Sequence, residues 1–190
     1  QADDFEMAVH DLIKEYAIEH QRIVFNGNGY APEWAEEAKR RGLPNLPSMV
    51  DAIPALTTDK AVKLFEEFHV FTKTELESRA EIQYEIYAKA VNIEAKTMID
   101  LATKQIIPAV VRYTTVLADS VNTVRAVGDI DVSVQLELLK KCSALLKTTN
   151  SAMKNLSDVV AKVSEIPEGR ERAVYCKDIV CKAMEELRTP

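Results

Sequence analysis

Between Thr72 and Gly128 the chain has no glycine and a single proline, Pro108, and this stretch constrains the fold more than any other. Residues 73–127 read as one helix, on the order of 80 Å long if straight. Its start is marked by Thr72-Lys73-Thr74-Glu75, a capping box in which hydroxyl and carboxylate satisfy each other's unpaired backbone donors. Pro108 has no N–H for the carbonyl of Lys104, so a bend is expected near residues 104–108. A helix of this length is stable in water only if other helices cover one of its faces.

The covering helices are legible downstream. Leu139, Cys142, Leu146, Thr149, Met153, Leu156, Val160 and Val163 alternate three- and four-residue steps, with Leu138, Leu145, Ala152 and Val159 widening the seam. Gly128 and Asp129 break the chain before this helix, and Asp131 is placed to cap it. After a second break at Pro167 and Gly169, the same spacing returns in Ala173, Cys176, Val180, Ala183 and Leu187. Connectors of about four residues make successive long helices antiparallel neighbours. The fold class is therefore all-α, an antiparallel helical bundle with a long kinked helix.

Upstream, Phe5, Val9, Leu12, Ile13, Tyr16, His20 and Ile23 form one apolar stripe of a helix over residues 2–23. Pro32 opens a short helix that Gly42 closes, and Tyr30 and Trp34 flank its start as packing anchors. Pro44, Pro47 and Pro54 restrict the next segment to short turns. Thr58 caps a helix reaching His69, with Val62, Phe65 and Phe68 as its core face. Ile23–Phe25 is the one piece with any extended character. Two parts are expected, residues 1–71 (N-terminal helices and Pro-rich connector) and residues 72–190 (long-helix bundle), together forming one compact unit.

Charge and cysteine usage narrow the function. Thirty acidic and 24 basic residues give a net charge of −6, spread along the chain, which argues against a nucleic-acid partner. Cys142, Cys176 and Cys181 fall on helical apolar positions without the pairing of a disulfide framework, which suits a reducing, cytoplasmic setting. Cys176 and Cys181, five residues apart, are expected to point in different directions. No apolar run approaches the ~18 residues of a membrane span, and the acidic first twenty residues read as neither secretory signal nor anchor. The chain begins with Gln1 rather than Met, as expected of a piece of a longer protein.

Candidate sites are few. Asn26-Gly27-Asn28-Gly29, followed by Tyr30, lacks the Lys-Ser/Thr of a phosphate loop and follows a helix where such loops follow a strand, so it reads as a turn using Asn and Gly at positive φ. Glu66 and His69 form one Glu-x-x-His step, half of what a di-iron bundle requires. Glu77, Glu81 and Glu85 line one helix face. Their mutual repulsion is a few tenths of a kcal/mol per pair, and they are candidates for an interface with basic residues of another subunit. Lys89 continues that row, and Arg79 is a favourable neighbour for Glu75. By these criteria the chain carries no catalytic, cofactor-binding or metal-ligating residues. One open reading is a free-standing cytosolic helical adaptor whose seam binds a partner helix; an iron carboxylate enzyme is another.

Five separated pieces, Arg22–Tyr30, Glu33-Trp34, Arg41–Asn45, Glu75–Arg79 and Glu85–Tyr87, occur in the order in which the C-terminal region of type III glutamine synthetases carries them. The chain resembles that region from about residue 10 to about residue 165. The resemblance implies a parent enzyme that joins ammonia to glutamate using ATP and Mg or Mn, with the catalytic motifs upstream, so no catalytic residue transfers to this segment. It also implies partners: the remainder of the synthetase chain and other subunits of a homo-oligomer, a dodecamer of two stacked hexameric rings. Subunit packing or ring assembly is the role expected of this segment.

Overall fold

The computed structural model describes residues 2–190. Among these residues all regular secondary structure is helical. Two compact units divide the chain, residues 1–47 and 48–190.

The first unit carries α1 (Ala2–Glu19), a 3-10 turn (Gln21–Ile23) and α2 (Pro32–Arg40). The first helix ends four residues earlier than its stripe suggests; of the extended piece expected over Ile23–Phe25, the turn takes up Ile23 while Val24 is extended (φ −85°, ψ 124°). Along α1 the apolar residues Phe5, Val9, Leu12, Ile13 and Tyr16 are exposed. Pro32 stands in the first turn of α2, where its missing N–H has no helical acceptor anyway. Gly42, at φ 70°, follows the end of α2, with Leu43 N–H returning to the Ala38 carbonyl.

The second unit is built on α5 (Lys73–Leu101) and α6 (Ile107–Val127), joined by a π-helical turn (Ala102–Ile106) into one 55-residue run. There the Ile107 N–H reaches back five residues to the Ala102 carbonyl. One extra residue in the ladder leaves a carbonyl without a helical donor in any case, so a proline beside it removes no further bond. The interruption expected at residues 104–108 is thus a π turn two residues upstream.

α7 (Ser133–Ala161) returns antiparallel to α6 and then passes α5. A 3-10 turn (Lys162–Glu165) leads to α8 (Arg170–Tyr175), a second π turn (Cys176–Val180) and α9 (Cys181–Arg188), which run back along α5 and α7. The core lies among these segments: Ala88, Val91 and Ala95 of α5, Leu156 and Val160 of α7, and Cys176, Val180, Ala183 and Leu187 of the final run. Small residues on both α5 and the last run let their backbones approach closely; the Cys176 thiol lies 3.9 Å from the Ala88 carbonyl.

The proline-rich connector belongs to this core. α3 (Met49–Ala52) and a 3-10 turn (Ile53–Thr57) bury Val50 and Ile53 against Ala80, Tyr84 and Ala173. Lys177 pairs with Asp51 at 2.8 Å across the same contact. The compact division consequently falls at residue 47 rather than at 71. α4 (Asp59–Glu67) is capped by Thr58, whose hydroxyl accepts from the Ala61 N–H. It stops short of His69, which adopts φ 55°, and Phe68 is exposed; Phe65 packs on Phe71 instead.

Candidate functional site

The turn after α1 owes its shape to Arg41. Its guanidinium donates to the carbonyls of Arg22 (3.2 Å) and Val24 and to the Glu37 carboxylate, and lies about 6 Å from the ring centres of Phe25 and Trp34. The Phe25 and Trp34 rings pack against each other with centroids 4.6 Å apart and planes tilted by 36°. Arg40 and Arg41 together hold the Glu37 carboxyl far below the usual carboxylate range, at about 2. Asn28 closes the turn by accepting from the Tyr30 N–H at 3.0 Å. Neither Gly27 nor Gly29 uses positive φ, contrary to the sequence expectation. Gly27 is needed for a different reason: the Phe25 ring occupies the space a Cβ would fill, whereas Gly29 faces open space. Trp34 is a packing anchor as expected, but Tyr30 is 100% exposed and packs on nothing. Asn26 needs no φ > 0 either.

The three glutamates of the predicted row have separate surroundings. Glu77 is exposed, with Lys73 at 3.8 Å. Glu81 lies against the backbone of Gly169, where any added Cβ would collide with its carboxylate. Glu85 accepts from Lys89 at 2.9 Å, which lowers its pKa. Glu75 completes the capping box, accepting from the Thr72 N–H at 2.8 Å while the Thr72 hydroxyl accepts from its own N–H. Arg79, expected beside Glu75 by its spacing, instead places its guanidinium 4.2 Å from the centre of the Phe71 ring.

Beyond Glu85 a cleft of about 250 Å³ opens between α5 and the segment around Gly169. Ala88, Val160 and Val163 form its apolar wall, and Lys89, Lys96 and Arg172 its basic rim. Arg172 is occupied by the Ile166 carbonyl and Glu168. The Asn92 carbonyl oxygen is buried there without a partner, a group that sequence spacing did not single out because its burial depends on tertiary packing around the cleft.

The remaining polar candidates are engaged locally. Glu66 accepts from the Lys73 N–H at 3.1 Å, and His69 has left the helix that carries Glu66. Among the described residues no group of three His, Cys, Asp or Glu side chains is placed to hold a metal ion. The second π turn changes the direction of the two last cysteines: Cys176 and Cys181 both face α5, Cys176 toward Ala88 and Cys181 3.8 Å from the Tyr87 hydroxyl. Burial, then the neighbouring thiol, push the Tyr87 phenol up to about 12. Burial also raises the Cys176 thiol.

Large apolar side chains stay exposed elsewhere in this unit. Ile106, Tyr113 and Val127 recur at multiples of seven residues on α6 and the turn before it, and Val134, Leu138 and Leu145 lie on α7. Where α9 ends, a cleft of about 530 Å³ lies between Leu101, Ile106, Leu145, Leu146 and Leu187. Among the described residues no helix is long and apolar enough to cross a membrane.

Comparison with known proteins places these features. The family model described as the glutamine synthetase C-terminal domain matches residues 8–125. A glutamine synthetase of Butyrivibrio fibrisolvens is 34% identical over 187 residues, covering 98% of this chain and 27% of the relative. The type-3 glutamine synthetase of Dictyostelium discoideum is 44% identical over 117 residues, covering 62% of this chain and 16% of the relative. A glutamine synthetase of Bacteroides fragilis is 26% identical over 186 residues, covering 95% and 26%. The chain thus spans about a quarter or less of the length of these relatives.

Proposed function

This chain belongs to the glutamine synthetase C-terminal domain family, and from that premise we propose that it is the non-catalytic helical segment of a type III glutamine synthetase, serving subunit packing or ring assembly. The parent enzyme would join ammonia to glutamate with ATP and Mg or Mn, using residues outside this chain. It would be a cytoplasmic homo-oligomer, a dodecamer, whose other subunits and remaining chain are the partners of this segment.

One observation carries the packing role: the large apolar residues left exposed along α1, α6 and α7. Glu37, Glu75, Glu85 and Cys176 are by contrast taken up in ion pairs, a cap and burial. Exposed apolar surface on this scale is the signature of a contact face rather than of a reaction centre.

Deleting residues 1–190 from the synthetase and measuring γ-glutamyl transfer together with light scattering tests the role. Loss of assembly with turnover retained by the smaller species is the expected result. Intact assembly with lost turnover would overturn it. That outcome would move attention to the Asn26–Tyr30 turn, whose fully exposed Tyr30 is free to reach another surface. Within the acidic row, Glu77→Lys is the informative change, because its one ion pair, with Lys73 at 3.8 Å, is long, whereas Glu81 lies against Gly169 and Glu85 holds Lys89 at 2.9 Å.

A further inference from the structure

The cleft of about 250 Å³ between α5 and the corner that joins α7 to α8 combines an unmet hydrogen bond with an uncompensated charge. Its lining is drawn from Glu85 to Arg172, all within the second unit, and no residue near either end of the chain contributes to it. Glu85, Lys89, Asn92 and Lys96 recur at three- and four-residue steps and so share one face of α5. Midway along that face the Asn92 Oδ1 is buried and accepts no hydrogen bond. A buried acceptor in this condition has lost its water without gaining a donor, a cost that an incoming N–H or O–H removes.

Charge along the cleft indicates what that donor belongs to. Of the five charged side chains on the lining, four form two pairs, Glu85 with Lys89 at 2.9 Å and Glu168 with Arg172 at 3.1 Å. Lys96 is the fifth and has no ion pair among the described residues; Asp100, one turn beyond it, is held by Lys104 at 2.7 Å. The Lys96 end therefore carries one cation in excess. The other end has the opposite character. α7 runs toward Gly169, which lies on Glu81, and it stops at Ala161 on the cleft wall, so the carbonyl end of a 29-residue helix faces the Glu85 side. Asn92 stands between these ends, about 6 Å along the helix from Lys96, and long helical side chains lean toward the N-terminus, which brings Lys96 toward Asn92.

We propose that this cleft binds a small zwitterion, an ammonium and a carboxylate on one short aliphatic skeleton as in an α-amino acid. The ammonium donates to Asn92 Oδ1 on the side of the α7 carbonyl end, the carboxylate lies against Lys96 Nζ, and the skeleton rests on the apolar wall of Ala88, Val160 and Val163. A simple anion would satisfy Lys96 and leave Asn92 unpaired, whereas a simple cation would meet Lys96 as a like charge. The size agrees: a cavity of about 150 Å³ admits benzene, so one of about 250 Å³ has room for about ten non-hydrogen atoms. The site makes no use of the exposed apolar faces and is independent of the assembly role.

Titration of the isotope-labelled intact chain with L-valine, followed by heteronuclear NMR, tests it. Isobutylamine and isovalerate serve as the same skeleton without the carboxylate or without the ammonium. L-Valine should shift the amides of Lys89, Asn92 and Gly169 saturably, and each half-ligand should bind about tenfold more weakly or worse, because a hydrogen bond to a charged group is lost. Asn92→Ala should weaken L-valine about tenfold and leave isovalerate unchanged; Lys96→Gln should weaken L-valine about as much and leave isobutylamine unchanged. Far-UV circular dichroism should be unaltered in both variants, since Asn92 is half-buried and Lys96 exposed. Absence of a saturable shift with L-valine would mean that the cleft holds water only and would overturn the proposal. Half-ligands that bind as tightly as L-valine, or variants that weaken all three probes equally, would overturn it too. The deletion described above reads the oligomer instead, so the two readings fail separately.

Discussion

Gly169 is the residue at which a single methyl group should cost most relative to its size. It precedes α8 at φ 82°, ψ −139°, a backbone region open in practice only to glycine. Alanine there is expected to destabilise the fold by about 1–3 kcal/mol. A second effect competes for the same observation, because the new Cβ would overlap the Glu81 carboxylate. That carboxylate is the far end of a flexible side chain and can swing aside, so the backbone term should dominate. Gly169→Ala, Glu81→Ala and the double variant, unfolded in urea and followed at 222 nm, separate the two. The expected coupling between the sites is below about 0.5 kcal/mol, with nearly the whole loss surviving in the Glu81→Ala background. A loss below about 0.5 kcal/mol for Gly169→Ala would refute the claim that this φ is enforced. Coupling above about 1 kcal/mol would show that the carboxylate is fixed and the collision decides.

Leu156, fully buried where α7 meets α5 and α9, should lose about 2–5 kcal/mol on truncation to alanine, whereas Leu145→Ala on the same helix should lose less than about 1 in the monomer; equal losses in urea unfolding would mean that the seam is not graded along α7. In the first unit, Arg40 and Arg41 depress the Glu37 carboxyl from 4.5 to about 2. Its contribution to stability is therefore present above 4.5 and is lost as the pH falls toward about 2. Trp34, the single tryptophan, lies beside Arg41 and reports the loss by fluorescence; emission that stays unchanged through that window, or changes equally in Glu37→Gln, would contradict the assignment.

The second unit was legible in the sequence because its signals are periodic and local. The seam from Leu139 to Val163 is buried or half-buried at every predicted position, and Ala173, Cys176, Val180, Ala183 and Leu187 are all buried. Thr72 and Glu75 form the capping box that their spacing specifies. What periodicity missed depends on which face finds a partner. Leu138 and Leu145 have the same pattern as Ala152 and Val159, but only the latter pair packs against the core that α9 completes. Phe68 fits the helical stripe of α4, yet the helix ends first and Phe71 takes its place beside Phe65. The π turns were invisible for a related reason. A single inserted residue leaves composition untouched and is registered only in which carbonyl each N–H selects, as when Cys181 turns to Cys176.

The candidate sites follow the same division. Carboxylates at four-residue spacing identify a face but not a destination: Glu81 finds Gly169, 88 positions away in a loop, and Glu85 finds Lys89 on its own helix. A row that reads as one charged strip thus becomes three environments, of which Glu77 is the most open. The same reasoning applies with opposite sign to the apolar residues. In a unit that buries Leu156, Cys176 and Val180 completely, leaving Ile106, Tyr113, Leu138 and Leu145 in water forgoes transfer free energy of about 25 cal/mol per Å² of uncovered apolar surface. Stability of the isolated unit is therefore set at the end where three segments meet.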